Sequence, residues 1–345
     1  MHRKRVTSKD VAERVGVSRT TVSLVLNDVR GIQISPETRQ KVLDAAKELG
    51  YIPDATAQAL ASRRTRAIGL VLTRTPHHIA TDAFLPKIIS GLLTTAKKQN
   101  IRILIDWVET EHQDTAYFEL ARANRIDGMI LSTPRLDDKA LRALESVDIP
   151  TVLMGNVTDS NLPFVDVDNV KAAEKATSYL IGLGHRNIAC ISNAPPEYTA
   201  APERVEGYRN ALIKAEIPVN ENLIRYADFD PESGYQCMKS LLQSGERFTA
   251  VFVASDNVAI GAKSALREAN LRVPDDISLV GFDDIPWAQY SDPPLTTVKL
   301  PAESIAQSAC MLLLDLIQEN SGNKRQQIIL DTELIIRKSC KPLSI

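Results

Sequence analysis

Residues 6–27 read VTSKDVAERVGVSRTTVSLVLN, and the fold assignment grows outward from them. Thr7-x-x-Asp10 has the form of a capping box, a hydroxyl for an orphan N–H followed by an acid near the positive helix end. Val11, Ala12 and Val15 then share one face of a short helix. Gly16 supplies a turn and Ser18 a second N-cap. Val22, Val25 and Leu26 give the next helix its apolar stripe, which leaves Arg19, Thr20, Thr21 and Ser23 at or near its exposed start. Two short helices around a tight turn, the second with a polar N-terminal face, form a helix-turn-helix pattern. Ser35-Pro36-Glu37 starts a third helix with a cap, a first-turn proline and an acid. Val42, Ala45, Ala46 and Leu49 line that helix, and Gly50 stops it. The three apolar faces together make a small shared core.

The charge of the chain is uneven. Its net value of −2 hides a head, residues 1–66, with 13 Lys/Arg against 7 Asp/Glu, and a remainder with 28 against 36. A basic head on an acidic body points to a polyanionic partner for the head alone. At 345 residues the chain exceeds one ordinary core, and its 44% hydrophobic and 24% charged content is that of a globular protein. Cys190, Cys237, Cys310 and Cys340 are scattered without metal-ligand spacing, as expected of reduced structural thiols in a cytoplasmic protein. MHRKRVTSKD is basic but no apolar segment follows it, so no signal peptide is read, and no run is long and apolar enough for a membrane span.

Residues 54–62, DATAQALAS, favour a helix but are too few to hold one alone in water, and Arg63, Arg64 and Arg66 follow. Such a segment is suited to folding when docked, although a plain linker would read similarly. From Ala67 the pattern becomes strand–helix alternation: AIGLVL (67–72), IRILIDWV (101–108), DGMILS (127–132) and PTVLMG (150–155), then FVDVDN (164–169). The cycle restarts with IACIS (188–192), LIRYADF (223–229), AVFVAS (250–255) and ISLVGF (277–282), separated by helical stretches. A last helix over 303–319 and one final strand over 326–337 would cross back between the halves. The predicted class is α plus α/β: a helix-turn-helix head, a hinge helix, then a two-lobed, doubly wound α/β body like that of periplasmic sugar-binding proteins. The predicted boundaries are 1–52 for the head, 53–66 for the hinge and 67–345 for the body. Within the body the N-lobe takes about 67–166 plus 300–330, and the C-lobe 167–299 plus 331–345. In such sheets a ligand sits at the C-terminal strand ends, here the cleft between lobes.

These pieces, with SPETRQKVLDAAKELGYIPDATAQALAS, RRTRAIGLVL, LIGLGHRNIACIS, PERVEGYRNAL, FDPESGY, VFVASDNVAIGA, VPDDISLVGFDD and PPLTTVKLP in that order, resemble the LacI/GalR family of bacterial transcriptional regulators over nearly the whole chain. The resemblance implies that the second helix enters the major groove of operator DNA. Thr7, Ser18, Arg19, Thr20, Thr21, Ser23 and Asn27 are then DNA-binding, with arginine suited to guanine and threonine to phosphate or a thymine methyl. Leu24 stands where the family often has arginine, so no base contact is carried over from mid-helix. The loop over 28–34 is about two residues longer than in the best-known members. The resemblance also implies a hinge helix over 54–62 in the minor groove, paired with its dimer mate. Thr56 and Ala57 would lie in the groove and Leu60 would wedge between base pairs.

In the body, the resemblance assigns a small-molecule effector to Arg204, Phe229, Ser255, Asp256 and Asp283, with Trp287 added as a cleft-lining residue. A guanidinium fork facing fixed acceptors suits a polyhydroxylated ligand, so a carbohydrate is expected, with no cofactor and no metal. Asp283 also stands where it would cap the next turn, and Arg204 where it would pair with a buried acid. Ser255 replaces the asparagine of many sugar-binding members, and PHHIATD (76–82) is an unusual run, which together leave the ligand's identity open. His185 reads as a structural turn residue. An enzyme is disfavoured by the absence of GxxxxGK[ST], GxGxxG, HExxH and GxSxG. The expected protein is a homodimer on a pseudo-palindromic operator, with no heptad extension to make it a tetramer. The alternatives are a periplasmic-type sugar-binding protein without DNA function, and a regulator sensing a purine or phosphorylated metabolite.

Overall fold

The computed structural model describes residues 6–26, 33–52, 64–108, 113–122, 125–145, 149–319 and 326–343. It divides into two compact units, Met1–Arg66 and Ala67–Ile345. In the first, α1 (Ser8–Val15), α2 (Arg19–Leu26) and α3 (Pro36–Leu49) close over Val11, Ala12, Val22, Val25, Val42, Ala45 and Ala46. The cap chemistry read from the sequence is present. The Asp10 carboxylate accepts the Thr7 backbone N–H and hydroxyl, both at 2.7 Å. Ser18 Oγ accepts the Thr21 N–H at 3.0 Å, and Ser35 Oγ the Thr38 N–H at 3.1 Å. Gly16 (φ 77°) ends α1 in the left-handed region that favours glycine.

The second unit begins with β1 (Ala67–Leu72), α4 (Pro76–Thr81), α5 (Leu85–Gln99), β2 (Arg102–Trp107), α6 (Gln113–Arg122), β3 (Gly128–Ser132), α7 (Lys139–Leu144), β4 (Thr151–Met154) and β5 (Phe164–Val167). It continues with α8 (Asn169–Gly182), β6 (Ile188–Ser192), α9 (Ala200–Lys214), β7 (Ile224–Tyr226), α10 (Pro231–Gln243), β8 (Ala250–Val253), α11 (Asp256–Glu268), β9 (Ser278–Asp283) and β10 (Thr296–Lys299). It closes with α12 (Ala302–Glu319), β11 (Gln327–Leu330) and β12 (Glu333–Ile335). Among the described residues these form two six-stranded sheets, in the orders β11-β5-β4-β3-β1-β2 and β12-β10-β9-β8-β6-β7. Both are parallel except for β12, which runs antiparallel to β10. The runs β3, β4, β6, β8 and β9 are buried throughout, as strands covered by helices on both faces must be.

The last segment differs from the expectation of one strand. It breaks after Leu330 and re-enters as β12, because each half pairs in a different sheet: β11 beside β5, β12 beside β10. Thr296–Lys299, unassigned from sequence, is a strand beside β9. The chain therefore passes between lobes three times, after β5, after β10 and after β11. In each sheet the winding reverses beside the first strand of the lobe, β1 in one and β6 in the other. Such reversals leave a crevice at the C-terminal strand ends. No helix of the described residues is long and apolar enough to cross a membrane.

The helix pair α10–α11 is packed almost backbone to backbone. A Cβ on Gly261 would stand 1.6 Å from the Pro231 carbonyl oxygen, a distance no rotamer relieves. Gly261→Ala is expected to destabilise the body by about 2–4 kcal/mol, at or above the usual range for overpacking. Denaturant midpoints of the two proteins, measured at unchanged m-value, check this.

Candidate DNA-reading helix and effector cleft

In the head, α2 carries its buried side on Val22 and Val25 and presents Arg19 and Thr20 to solvent. Thr21 is half-buried and its hydroxyl is tied to Ser18 Oγ at 2.9 Å, so the cap consumes part of its hydrogen-bonding capacity. Ser23 is half-buried on the next turn. Thr7 is exposed at the start of α1. The exposed N-terminus of α2 thus offers a flexible guanidinium and a hydroxyl on a rigid support. Asn27, Thr56, Ala57, Leu60 and the whole expected hinge helix lie outside the described residues.

In the body, the C-terminal strand ends of both sheets line an open cavity of about 1030 Å³, the solvent at its mouth included. Arg74 follows β1, Thr133 follows β3, Asn193 follows β6, Ser255 follows β8, and Asp283 ends β9. Arg204 reaches the same space from the first turns of α9. Its Nε donates to Asn169 Oδ1 at 2.9 Å and Nη1 to the Ala254 carbonyl at 2.7 Å. Nη1 lies 3.8 Å from Asp283 Oδ1, and the guanidinium centre lies 3.9 Å from the Phe282 ring centroid. Both members of this pair are buried, Arg204 7% and Asp283 7% exposed. Asp283 holds φ at 114°, a backbone conformation that favours glycine and costs free energy wherever another residue adopts it. Strain of this kind clusters at ligand sites.

The wall is completed by Phe229, also at positive φ (63°). Tyr198 meets its ring edge-on at 4.7 Å between centroids, and the Arg74 guanidinium lies 4.9 Å from the ring centroid. Arg74 is itself paired with Asp82. Asn193 sits in the lining with its Oδ1 buried and without a hydrogen-bond partner among the described residues. An unpaired buried acceptor is costly unless something fills it.

Burial raises the acids around the cleft above their ordinary values. Asp283 is pushed to about 6 by loss of solvent, against the pull of Arg204. Asp166 is pushed to about 6 for the same reason. Glu203 rises to about 7, first from burial and then from repulsion by Asp166. Burial also lowers Arg204, and Asp283 opposes that shift. The lining holds three carboxylates, Asp82, Asp166 and Asp283, against two guanidiniums, Arg74 and Arg204.

Arg204, Phe229, Ser255 and Asp283 come together in the cavity. Asp256 and Trp287 do not. Asp256 is 1% exposed and faces inward: Oδ1 accepts the Thr297 hydroxyl at 2.7 Å and Oδ2 the Ile285 N–H at 3.0 Å, which stitches the turn after β9 to β10. Trp287 is 63% exposed and lines a separate surface depression with Ile260 and Tyr290, because the loop after β9 turns it away from the cleft. Ser255 also caps α11, accepting the Asn257 N–H at 3.3 Å. His185 is held in the interior by the Thr249 hydroxyl and the Lys341 carbonyl. Arg74, Asp166, Tyr198 and Asn193 were missed from sequence. Three of the four stand at or just beyond strand ends, and that position was the available signal. Among the described residues, no group of three His, Cys, Asp or Glu side chains is arranged to hold a metal.

Two family models match the chain: "Bacterial regulatory proteins, lacI family" over residues 7–54, and a periplasmic binding protein-like domain over residues 177–340. The transcriptional repressor CytR of Escherichia coli K12 is 36% identical over 344 residues, 98% of this chain and 97% of its own. The chain belongs to the LacI family. The transcriptional regulator CelR of Thermobifida fusca is 33% identical, covering 98% of this chain and 99% of its own. A structure of a CelR–cellobiose complex superposes with a TM-score of 0.75 at 33% identity, over 97% of this chain and 100% of that one. The lac repressor dimer bound to operator and the anti-inducer ONPF superposes with a TM-score of 0.85 at 31% identity, over 98% of this chain and 100% of that one. This chain is accordingly a DNA-binding transcriptional regulator, and the relatives it matches are regulators rather than enzymes.

The raised acids make stability depend on pH with a definite sign. A carboxyl whose folded pKa exceeds its unfolded value stabilises most at low pH, and that contribution is lost as pH rises through the folded value. For Glu203 the loss runs from about pH 4.5 through about 7. Glu203 accepts the Asn169 amide at 3.0 Å, an interaction that glutamine preserves. Glu203→Gln is therefore expected to gain stability relative to wild type between pH 5 and pH 8, by roughly 1–2 kcal/mol after allowance for residual solvent contact. Thermal unfolding at the two pH values gives the comparison.

Proposed function

We propose that the protein is a cytoplasmic, homodimeric repressor whose affinity for a pseudo-palindromic operator is set by a neutral polyhydroxylated molecule, a sugar, in the interlobe cleft. The carrying observation is the Arg204–Asp283 pair at 3.8 Å beside the unfilled Asn193 acceptor, in a cavity that is otherwise walled by Phe229 and Tyr198. Vicinal hydroxyls donate to Asp283 and Asn193 and accept from Arg204, while an apolar sugar face lies on the aromatic ring. The acid-rich lining disfavours a phosphorylated ligand, since the Arg74 charge is already matched by Asp82. The edge-to-face pair of Phe229 and Tyr198 favours a second reading, a planar nucleobase or nucleoside in the same place.

Dimerisation is supported by apolar side chains left in solvent: Ile105 and Trp107 on the edge strand β2, and Ile260, Trp287 and Tyr290 on the C-lobe. A second copy would cover them isologously and place two heads on two half-sites. Lobe movement on ligand binding would then change the spacing of the hinge segments, and linkage requires that DNA and ligand affect each other's affinity equally.

A thermal-shift panel of mono- and disaccharides, nucleosides and sugar phosphates tests the ligand class. A true ligand at 100 times its Kd adds about 2.7 kcal/mol, an upward shift of a few degrees. A hit confined to sugar phosphates would overturn the neutral-ligand reading. Arg204→Gln and Asp283→Asn are each expected to abolish that shift and the ligand's effect on operator binding, while ligand-free operator binding persists. Arg19→Ala is expected to weaken operator binding by about 1–3 kcal/mol, and Leu60→Ala to reduce both affinity and DNA bending in a gel-shift phasing assay.

A further inference from the structure

The chain leaving β3 is held to the N-lobe at both ends. The Thr73 hydroxyl donates to the Ser132 and Thr133 carbonyls at 3.1 and 2.7 Å. The Asp138 carboxylate accepts the Tyr117 hydroxyl of α6 at 2.8 Å and the Ala140 N–H at 2.9 Å. Pro134 lies on the backbone of Gly155, where an added Cβ would stand 2.6 Å from the proline Cδ. Between these anchors the segment offers a strand edge to the C-lobe. The Leu136 N–H donates to the Glu197 carbonyl at 2.7 Å, the Thr199 N–H donates to the Pro134 carbonyl at 3.5 Å, and Arg135 opposes Tyr198 as an antiparallel bridge. Asp137 clamps the Arg135 side chain through two bonds of 2.8 and 2.7 Å, and the guanidinium lies 4.9 Å from the Tyr198 ring centroid.

We propose that Arg135 is a positioning residue that sets the aromatic wall of the C-lobe from across the cleft, so that the wall is complete only while the lobes are engaged. Within its own lobe the Tyr198 ring has little to hold it. It packs in a small cluster with Ala194, Ala201 and Phe229, separate from the main apolar cores, and it meets Phe229 edge-on at 4.7 Å. Each ring of this pair carries an N-lobe cation, Arg135 on Tyr198 and Arg74 on Phe229, both at 4.9 Å. A cation near an aromatic face is attracted by the ring quadrupole, more strongly where water is excluded. Tyr198 is 7% exposed and the Arg135 side chain 15%. The Asp137 carboxylate occupies the edge of the guanidinium fork, which leaves its flat face for the ring. Separating the lobes would break the strand bridge and withdraw both cations at once. A ligand lying on the wall would therefore meet an ordered surface only in the engaged arrangement. This role takes the cleft as the ligand site, in line with the proposed function, and holds for any class of ligand.

The test is hydrogen–deuterium exchange on the full-length protein without added ligand, comparing wild type with Arg135→Met, Arg135→Lys and Asp137→Asn. Methionine keeps much of the side chain's length and removes its charge; lysine keeps a cation within reach of the ring. Loss of a sheltered cation–aromatic contact predicts exchange over 197–201 faster by about 2-fold to 30-fold in Arg135→Met, while the core over 250–268 keeps its protection. Arg135→Lys is expected to fall between wild type and Arg135→Met, a distinction that a space-filling role would not produce. If Arg135→Met does not fold, Asp137→Asn, a change at an exposed side chain, is expected to raise exchange over 197–201 by a smaller factor. Unchanged exchange over 197–201 in a folded variant overturns the proposal, as do equal rates in Arg135→Lys and Arg135→Met or a rise shared by 250–268. Failure of the cleft as the ligand site would appear instead in the ligand panel, where Arg204→Gln and Asp283→Asn would leave the thermal shift intact, and this exchange result would stand.

Discussion

Arg204 is a guanidinium taken out of water and shared among groups that belong to different strands and helices. Asn169, the Ala254 carbonyl and Asp283 surround it, and the Phe282 ring lies against its face. Burying a lone cation is prohibitive, so these acceptors must stay near it. Burial raises Asp166, Glu203 and Asp283 above their ordinary values, and the charge of Arg204 pulls each of them back down.

The same region joins the two lobes. Three chain crossings join the lobes on one side, after β5, β10 and β11. On the other side α4 reaches across to the loop carrying Phe229 and to Asn257. The cleft therefore lies between covalent crossings and a polar seam. Under the proposed function, the free energy a ligand gains from bringing the lobes together is what shifts their arrangement, and no more than that. Family membership makes the head a DNA-binding unit, and its α2 offers Arg19 and Thr20 on an exposed helix end.

Much of the fold was legible in the sequence because its signals are local. Capping residues at Thr7, Ser18 and Ser35, left-handed glycines at positions 16 and 50, and continuous apolar runs such as IACIS and AVFVAS depend on neighbours within a few residues. The final segment was not legible as two strands. Nothing in QIILDTELI announces a change of sheet; the break after Leu330 exists because its two partners, β5 and β10, lie in different lobes.

For the site, sequence identified the residues that motifs carry and misjudged where some of them point. Arg204, Phe229, Ser255 and Asp283 meet in one cavity. Asp256, one residue beyond Ser255, turns inward to Thr297 and Ile285, and Trp287 turns out to solvent. Alternation along a chain says that neighbours diverge, but which one faces the ligand depends on the opposing sheet. The amino-acid order by itself determined the head, the two-lobed winding and the family. The tertiary structure alone decided the acceptors gathered around Arg204, the unfilled acceptor of Asn193 and the meeting of His77 and His78 with Asp230 and Asp228. Those arise from groups up to about 150 residues apart brought within hydrogen-bonding distance, and no local pattern encodes contacts of that range.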